Sequence, residues 1–449
     1  MTESTMSDAE LVRRLGVHPD LRNRMESLLL AVEDETGELK TADAAEMRII
    51  DEMRRTGQVA IQSWAARQVE KTSQEIKKTA GIWSEGKKKL SWHTTFGDIN
   101  IDEPQYRDGS KRVRPFAQSA NVSNHGYSLP LQRVVTDFGA DQSFGQAVDK
   151  LAEHYGVVLN ESAIVRITEG HAKQIFETAP PPPSWPTEPG TSTVIIVETD
   201  GGMVPIVEID ATQTDKRKGK KLHWAEAKIC LAHQQGSQTL TFGGTLQGTV
   251  DTVGKSILAC AVQAGFGTST PIHGVGDGAP WIADQVEKQF GANGSYLIDL
   301  YHVCDYLSAA GQSIVSSEQE KKTWMDEQKT RLKTDKTDLV LKELKEHLEP
   351  STVQDSDAPV RQCHRYLNNR REQLNYQDAI KRKLPIGSGE IESAHRYVVQ
   401  QRMKRPGAWW RSHHAEHMLA LRLNRANRQW DNYWQRISSK QHEQLSTSL

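Results

Sequence analysis

Val194-Ile195-Ile196-Val197-Glu198-Thr199-Asp200-Gly201-Gly202 is the stretch from which the rest of the chain is best read. Its unbroken apolar run predicts an inner strand, covered on both faces, over Ser192–Thr199. Asp200 then stands at the strand's C-terminal end, with two glycines behind it that let the backbone turn. That is where carboxylates of open α/β sheets meet a crevice.

Outward from this strand, Met203–Ile209 and Trp224–Leu231 follow at hairpin-like distances, with the charged loop Asp215–Lys221 between them. Thr249–Gly265 has the pattern of an amphipathic helix, Pro271–Gly276 of a short strand and Pro280–Phe290 of a helix. Tyr296–Asp299 is a strand opening into a helix at Tyr301. Three strands, helix, strand, helix, strand, helix is the order of an α/β fold with an RNase-H-like core. Residues 304–380 interrupt it with charged helical sequence, an all-α insertion, and 381–440 return as the C-terminal helices of the core, with 441–449 as a frayed tail. Upstream, Pro180–Pro183, Pro186 and Pro189 make 179–190 an extended linker. It closes off a mainly helical N-terminal region, 1–87, and a second segment, 88–178. In the latter, Leu90–Ile101 reads as a small hairpin around a Gly-Asp turn. Ser143 and Asn160 cap two helices, Phe144–Tyr155 and Glu161–Phe176, with Ile164, Ile167 and His171 in register on the second. The pair is spaced like a helix-turn-helix, and Arg166 and Lys173 are the basic residues of its second helix.

Three acids are candidate catalytic groups. Asp200 ends one strand, and Asp277 ends another between Gly276 and Gly278, where a bulky anion could approach the backbone. Glu392 opens a helix after Gly387-Ser388-Gly389. Oxygen ligands from separate elements suit Mg²⁺ or Mn²⁺, and two such ions would clamp the attacking and leaving oxygens of a phosphoryl displacement. Glu198 shares a strand face with Asp200. Glu390 competes with Glu392, since residues two apart on a helix point to nearly opposite sides. Glu392 shares its side with His395 and Arg396 and is preferred. Asp299 and His302, at a strand-to-helix junction, read either as a helix cap with a polar neighbour or as accessory groups of the same site.

The chain's net charge of −2 points to no particular partner, but its distribution does. Between Lys381 and Arg428 there are eleven Lys or Arg against three acids, an excess of eight. Arg396, Arg402, Lys404 and Arg405, interleaved with Trp409 and Trp410, suit a nucleic-acid backbone beside stacked bases. Cys230, Cys260, Cys304 and Cys363 form no CxxC pair and read as reduced thiols. The polar, acidic N-terminus is no signal peptide, and no apolar run could span a bilayer. A cytoplasmic, nucleoid-associated protein without a small-molecule substrate is expected.

These motifs resemble bacterial insertion-sequence transposases of the ISKra type, within the Mutator-like DDE superfamily. The matching pieces are Glu198–Gly202, Gly276–Ile282, Asp299-Leu300-Tyr301-His302, and Gly387–His395 followed by Arg402-Met403-Lys404. They occur in the family's order across roughly residues 88–430. The resemblance implies an RNase-H-like domain with a helical insertion, two Mg²⁺ ions (or Mn²⁺) held by Asp200, Asp277 and Glu392, and cleavage and joining of DNA at element ends. It matches Asp299 and His302 to the superfamily's Asp-x-x-His signature. It implies transposon ends and target DNA as partners and a homo-oligomer to hold two ends. An RNase-H-fold endonuclease that does not join strands, and a transposase-derived DNA-binding protein without catalysis, are the rival readings.

Overall fold

The computed structural model describes residues 6–34, 37–210, 212, 213, 215 and 219–448. Residues 1–5, on which part of the N-terminal reading rests, and 216–218 in the charged loop lie outside the described residues. The chain divides into two compact units, Met1–Thr168 with Asp431–Leu449, and Glu169–Trp430.

In the first unit, helices Asp8–Gly16, Pro19–Glu33 and Ala42–Ile76 precede a four-stranded sheet. Its strands are β1 (Ile82–Thr94), β2 (Gly97–Asp108), β3 (Lys111–Val113) and β4 (Gly126–Tyr127), in the order β3-β2-β1-β4. The hairpin is longer than expected. Thr94 pairs with Gly97, so Thr95-Phe96 makes the turn, and Gly97-Asp98 already belongs to β2. Gly97 has φ +100° on leaving that turn, which favours glycine there. Alternate residues Leu90, Ile99 and Ile101 point inward onto Ala65 and Phe116. A helix the sequence did not betray, Leu129–Asp141, precedes the expected pair and joins it in one apolar cluster through Leu131, Val135, Leu151 and Ile164. The pair itself starts where its caps lie. Ser143 and Gln146 form a capping box, and Asn160 Oδ1 accepts the Ala163 N–H at 2.8 Å. Gly156, at φ +65°, ends the first of the two helices.

The second helix of that pair, Glu161–Glu177, ends within the second unit. Its His171 is a core histidine, 7% exposed, and burial pulls its pKa from 6.5 down to about 4. The fold therefore holds the ring neutral. Its contribution is complete above pH 6.5 and is lost as pH falls from 6.5 towards 4. Between pH 7 and pH 4, urea unfolding of the wild type should lose about 3 kcal/mol that His171→Leu does not lose. Equal acid sensitivity of the two proteins would show that the ring does not titrate this way.

The second unit is built on a five-stranded sheet of β5 (Ile195–Ile209), β6 (Lys220–Gln234), β7 (Thr241–Thr245), β8 (Ile272–Gly276) and β9 (Gly294–Ile298). The order is β7-β6-β5-β8-β9. β5 and β7 run antiparallel to β6, and β8 and β9 run parallel to β5. Three strands do precede the first helix, but not the three expected. Asp200 does not end a strand, because β5 continues through Gly201-Gly202 and pairs with β6 along its whole length. These glycines are not turn residues. A Cβ on Gly201 would come within 2.1 Å of Glu226 Oε1, and one on Gly202 within 2.6 Å of His395 Nδ1. The third strand is Thr241–Thr245, whose Gly243-Gly244 hid it. A Cβ on Gly244 would lie 2.7 Å from the Lys228 carbonyl oxygen of the neighbouring strand.

Alternation along β5 sorts its two faces. Ile195 and Val197 join Ile257 and Phe290 beneath helices Val250–Gln263 and Pro280–Phe290. Ile196 faces the other way, into a cluster shared with helices Leu300–Ile314, Glu318–Lys333, Thr337–Glu346 and Pro359–Asn368. Residues 304–380 thus contain helices and no strand, as expected, but their core is continuous with the sheet's. The proline-rich stretch also differs from a free spacer. Trp185 Nε1 donates to the Gln289 carbonyl at 2.8 Å and its ring meets Phe266 edge-on, while Glu188 and Pro189 accept from Thr268 and Ser269 N–H. The last helix runs Trp430–Ser448, so the backbone after Gln441 is helical where a frayed tail was expected.

Among the described residues no helix is long and apolar enough to cross a membrane. The four cysteines are free, and three are buried.

Candidate active site

The face of β5 opposite Val197 carries Glu198 and Asp200. β8 pairs with β5 only as far as Glu198↔Val275, so Asp200 emerges just beyond the last shared pair. Asp277 follows the end of β8. The two carboxylates are therefore neighbours without being consecutive. Burial raises the Asp200 pKa, and the negative charge of Asp277 adds to the rise; His395 and His302 oppose it.

Asp200 is held locally. Its Oδ1 accepts the Gly201 N–H at 2.7 Å. The His395 ring, 3% exposed, lies over Gly202, with Nε2 donating to the Asp200 carbonyl at 3.1 Å and 3.6 Å from Oδ2. Its Nδ1 is buried without a hydrogen-bond partner.

The turn at Asp277 is braced from the insertion. Asp277 Oδ1 accepts the Ala279 N–H at 2.8 Å, and its carbonyl accepts Tyr366 Oη at 2.9 Å. Tyr296 Oη accepts the Gly278 N–H, and Arg370 Nε donates to the Gly278 carbonyl at 3.1 Å. The glycines flanking Asp277 do not make room for an incoming anion. A Cβ on Gly276 would meet Tyr296 Oη at 3.0 Å, and one on Gly278 would meet Tyr366 Oη at 2.1 Å. Gly278 also has φ +84°. Gly278→Ala should therefore cost about 2–4 kcal/mol through strain and overpacking together, and lower any metal-dependent activity at least about tenfold. Calorimetry showing an unchanged melting temperature would contradict this packing.

Asp299, His302 and Glu392 present ligand atoms within 4.8 Å of one another, an arrangement that could hold a metal ion. Their capacities differ. Asp299 is 1% exposed, with Oδ1 accepting the Tyr301 N–H at 2.6 Å and Oδ2 accepting both N–H and Oγ–H of Ser388 at 2.7 and 2.6 Å. Three donors occupy it, so it ties the start of one helix to the turn before another. His302 and Glu392 carry the remaining donor capacity. His302 also acts on Asp200, so it stands between the two groups of acids.

Glu390 and Glu392 diverge on the helix Gly389–Ala394. Glu390 turns to β6 and pairs with His233 Nε2 at 2.8 Å. Glu392 joins His302. Between them, the Ile391 N–H donates to buried Glu198 at 2.8 Å, and burial pushes the Glu198 carboxyl up to about 8. The next six residues, His395–Gln400, are a π-helix, where each turn takes an extra residue. Arg422 donates to the Val398 and Tyr397 carbonyls there.

The basic candidates separate by burial. Arg396 and Lys404 are exposed, Trp409 is 42% exposed beside Trp224, and Arg405 Nε donates to the Gln401 carbonyl. Arg402 is only 2% exposed, its guanidinium 4.8 Å from the Trp410 ring centre, so it packs inside and offers no surface to DNA. Trp410 is likewise internal, bridging β5 at Ile206. In the helix pair, Arg166 lies over the Tyr127 ring and Lys173 lies 3.6 Å from Glu177. Sequence reading missed Tyr366, Arg370 and His233. No local pattern marks them, because each acts on a residue far away in the chain.

No known protein family matches this chain, and no curated protein matches it significantly. Its chemistry is therefore read from these residues.

Proposed function

We propose that this chain is a DDE-type DNA transposase, cutting and joining strands at the ends of an insertion sequence. The observation that carries the reading is the closeness of two carboxylates: Asp200 on β5, just past the last residue pair shared with parallel β8, and Asp277 directly after the end of β8, near enough for its charge to act on Asp200. The strand order β7-β6-β5-β8-β9, numbered three-two-one-four-five along the sheet, agrees with an RNase-H-like core.

Two Mg²⁺ or Mn²⁺ ions would be held by Asp200, Asp277 and Glu392, supplying Lewis acidity for in-line displacement at phosphorus. The donor set fits: it is all oxygen, with Asp200 and Asp277 half-buried and Glu392 exposed, and it carries like charges in need of a counter-ion. His395 and the Gly201 N–H hold Asp200 in place. Tyr366 and Arg370 hold the Asp277 turn. Asp299, through Ser388, and Glu198, through the Ile391 N–H, fix the helix that presents Glu392. His302 would donate to a phosphate oxygen, and Arg396, Lys404 and Arg405 would take the neighbouring phosphates. In the first reaction a water oxygen displaces a P–O bond and leaves a 3′-hydroxyl. In the second, that hydroxyl oxygen attacks target phosphorus and displaces its 3′ oxygen. Handling two ends together calls for a multimer.

The test is incubation of the full chain with labelled linear DNA carrying the repeats that flank its coding region, with Mg²⁺ or Mn²⁺. Joined products are expected. Cleavage without joining on every substrate would leave an RNase-H-fold endonuclease, and no metal binding by calorimetry would leave a DNA-binding protein.

A further inference from the structure

Beside the Asp277 turn, Tyr306, Gln362, Arg365, Tyr366, Asn369 and Arg370 line a pocket of about 150 Å³. It lies between helices Leu300–Ile314 and Pro359–Asn368, and although Tyr366 and Arg370 also hold the Asp277 turn, the proposed chemistry leaves the cavity itself unused. Its floor is a pile of flat groups. The Tyr306 and Tyr366 rings stack at 4.0 Å and 15°. The Arg370 guanidinium lies 4.2 Å from the Tyr366 ring centre. Two groups about 4 Å from one ring centre cannot share a face, so the layers run Arg370, Tyr366, Tyr306. One end is tied down, since Arg370 reaches the Gly278 carbonyl and Tyr366 the Asp277 carbonyl. The other end is Tyr306, 37% exposed.

We propose that this pocket receives one unstacked nucleobase of the DNA strand bound at the carboxylates, stacked on the open face of Tyr306. The proposal rests on the transposase reading for the identity of that strand. Three features favour a base over other flat ligands. The pile continues with the spacing of aromatic stacking, and every base has a π-face. The amides of Asn369 and Gln362 line the pocket, Asn369 able to donate to and accept from a base edge, and Gln362, whose nitrogen also donates to the Asp355 carbonyl, able to accept from one. Arg365 is already paired with Asp355 through both terminal nitrogens, whereas Arg370 has no carboxylate partner among the described residues and adds positive charge at the base of the pile. The placement also fits. His302 and Tyr306 are four residues apart on one helix, so they share a face about 5–6 Å apart. A strand with its phosphate at His302 has its adjacent base within reach of Tyr306. Taking that base out of the stack would expose the phosphate beside it.

The test is fluorescence anisotropy of the full chain in EDTA with two probes. One is a mixed-sequence 12-nucleotide single strand and the other a strand of the same length made of abasic sites. The wild type should prefer the base-bearing strand by about tenfold or more. Tyr306→Ala, at an exposed position, should shrink that preference to within about threefold with abasic binding unchanged, and Tyr306→Trp should restore it. No preference in the wild type, or a preference that survives Tyr306→Ala, overturns the proposal. The assay needs no metal. A wild type that neither cleaves nor joins DNA in Mg²⁺ would defeat the transposase reading and leave this result readable by itself.

Discussion

Asp277→Asn and Asp200→Asn should each lower metal-dependent DNA cleavage by about three orders of magnitude or more, with no fall in melting temperature. Both parts follow from the geometry of the site. The two carboxylates sit close enough that the Asp277 charge raises the Asp200 pKa on top of burial. In the folded, metal-free protein they oppose each other. An amide keeps the shape and removes one charge, so the fold is relieved while the counter-ion site is lost. The same change should abolish the rise in melting temperature that Mg²⁺ or Mn²⁺ gives the wild type, because a ligand stabilises only the state that binds it. Scanning calorimetry with and without metal reads the stability part, and single-turnover cleavage the rest. An asparagine variant that loses stability as well as activity would mean that the carboxylate is structural.

The second large effect is a contrast two residues wide. Glu392→Gln should reduce cleavage by about a thousandfold, whereas Glu390→Gln should stay within about threefold of wild type. Glu392 shares its cluster with His302, while Glu390 is about half exposed and spends its charge on His233. Solvent screens the second pair, so its loss should cost at most about 1 kcal/mol. Equal loss of cleavage in the two variants, measured at matched melting temperature, would show that the helix presents both acids to DNA.

That contrast marks where sequence reading reached and where it stopped. Helix facing places Glu390 and Glu392 on different sides, and a preference for Glu392 needs only local geometry. What each side meets depends on His233 and His302, which arrive from elsewhere in the chain. The helical caps at Ser143 and Asn160 were legible for the same reason: a cap bonds within three residues. Glycine pairs were misleading. Gly201-Gly202 reads as a turn and Gly243-Gly244 sits in a strand that went unread, yet both pairs lie inside strands, where space is taken by Glu226, His395 or a neighbouring backbone. Arg402 looked like a surface cation in a basic run and is buried against Trp410, since a charge pattern says nothing about which member packs inward. The sequence of elements, three strands and then helices alternating with strands, was legible, but the strands themselves were not all placed: two expected strands are the single β5, and β7 went unread.

The bracing of the Asp277 turn by Tyr366 and Arg370 has a practical consequence for anyone wishing to shorten this protein. On paper, residues 304–380 are a detachable module, and a trimmed chain would keep all three acids. Excision would strip a continuous apolar wall from the sheet and leave the Asp277 and Gly278 carbonyls without Tyr366 and Arg370. A miniaturised version should begin elsewhere, because here the apparent accessory is a wall of the workshop.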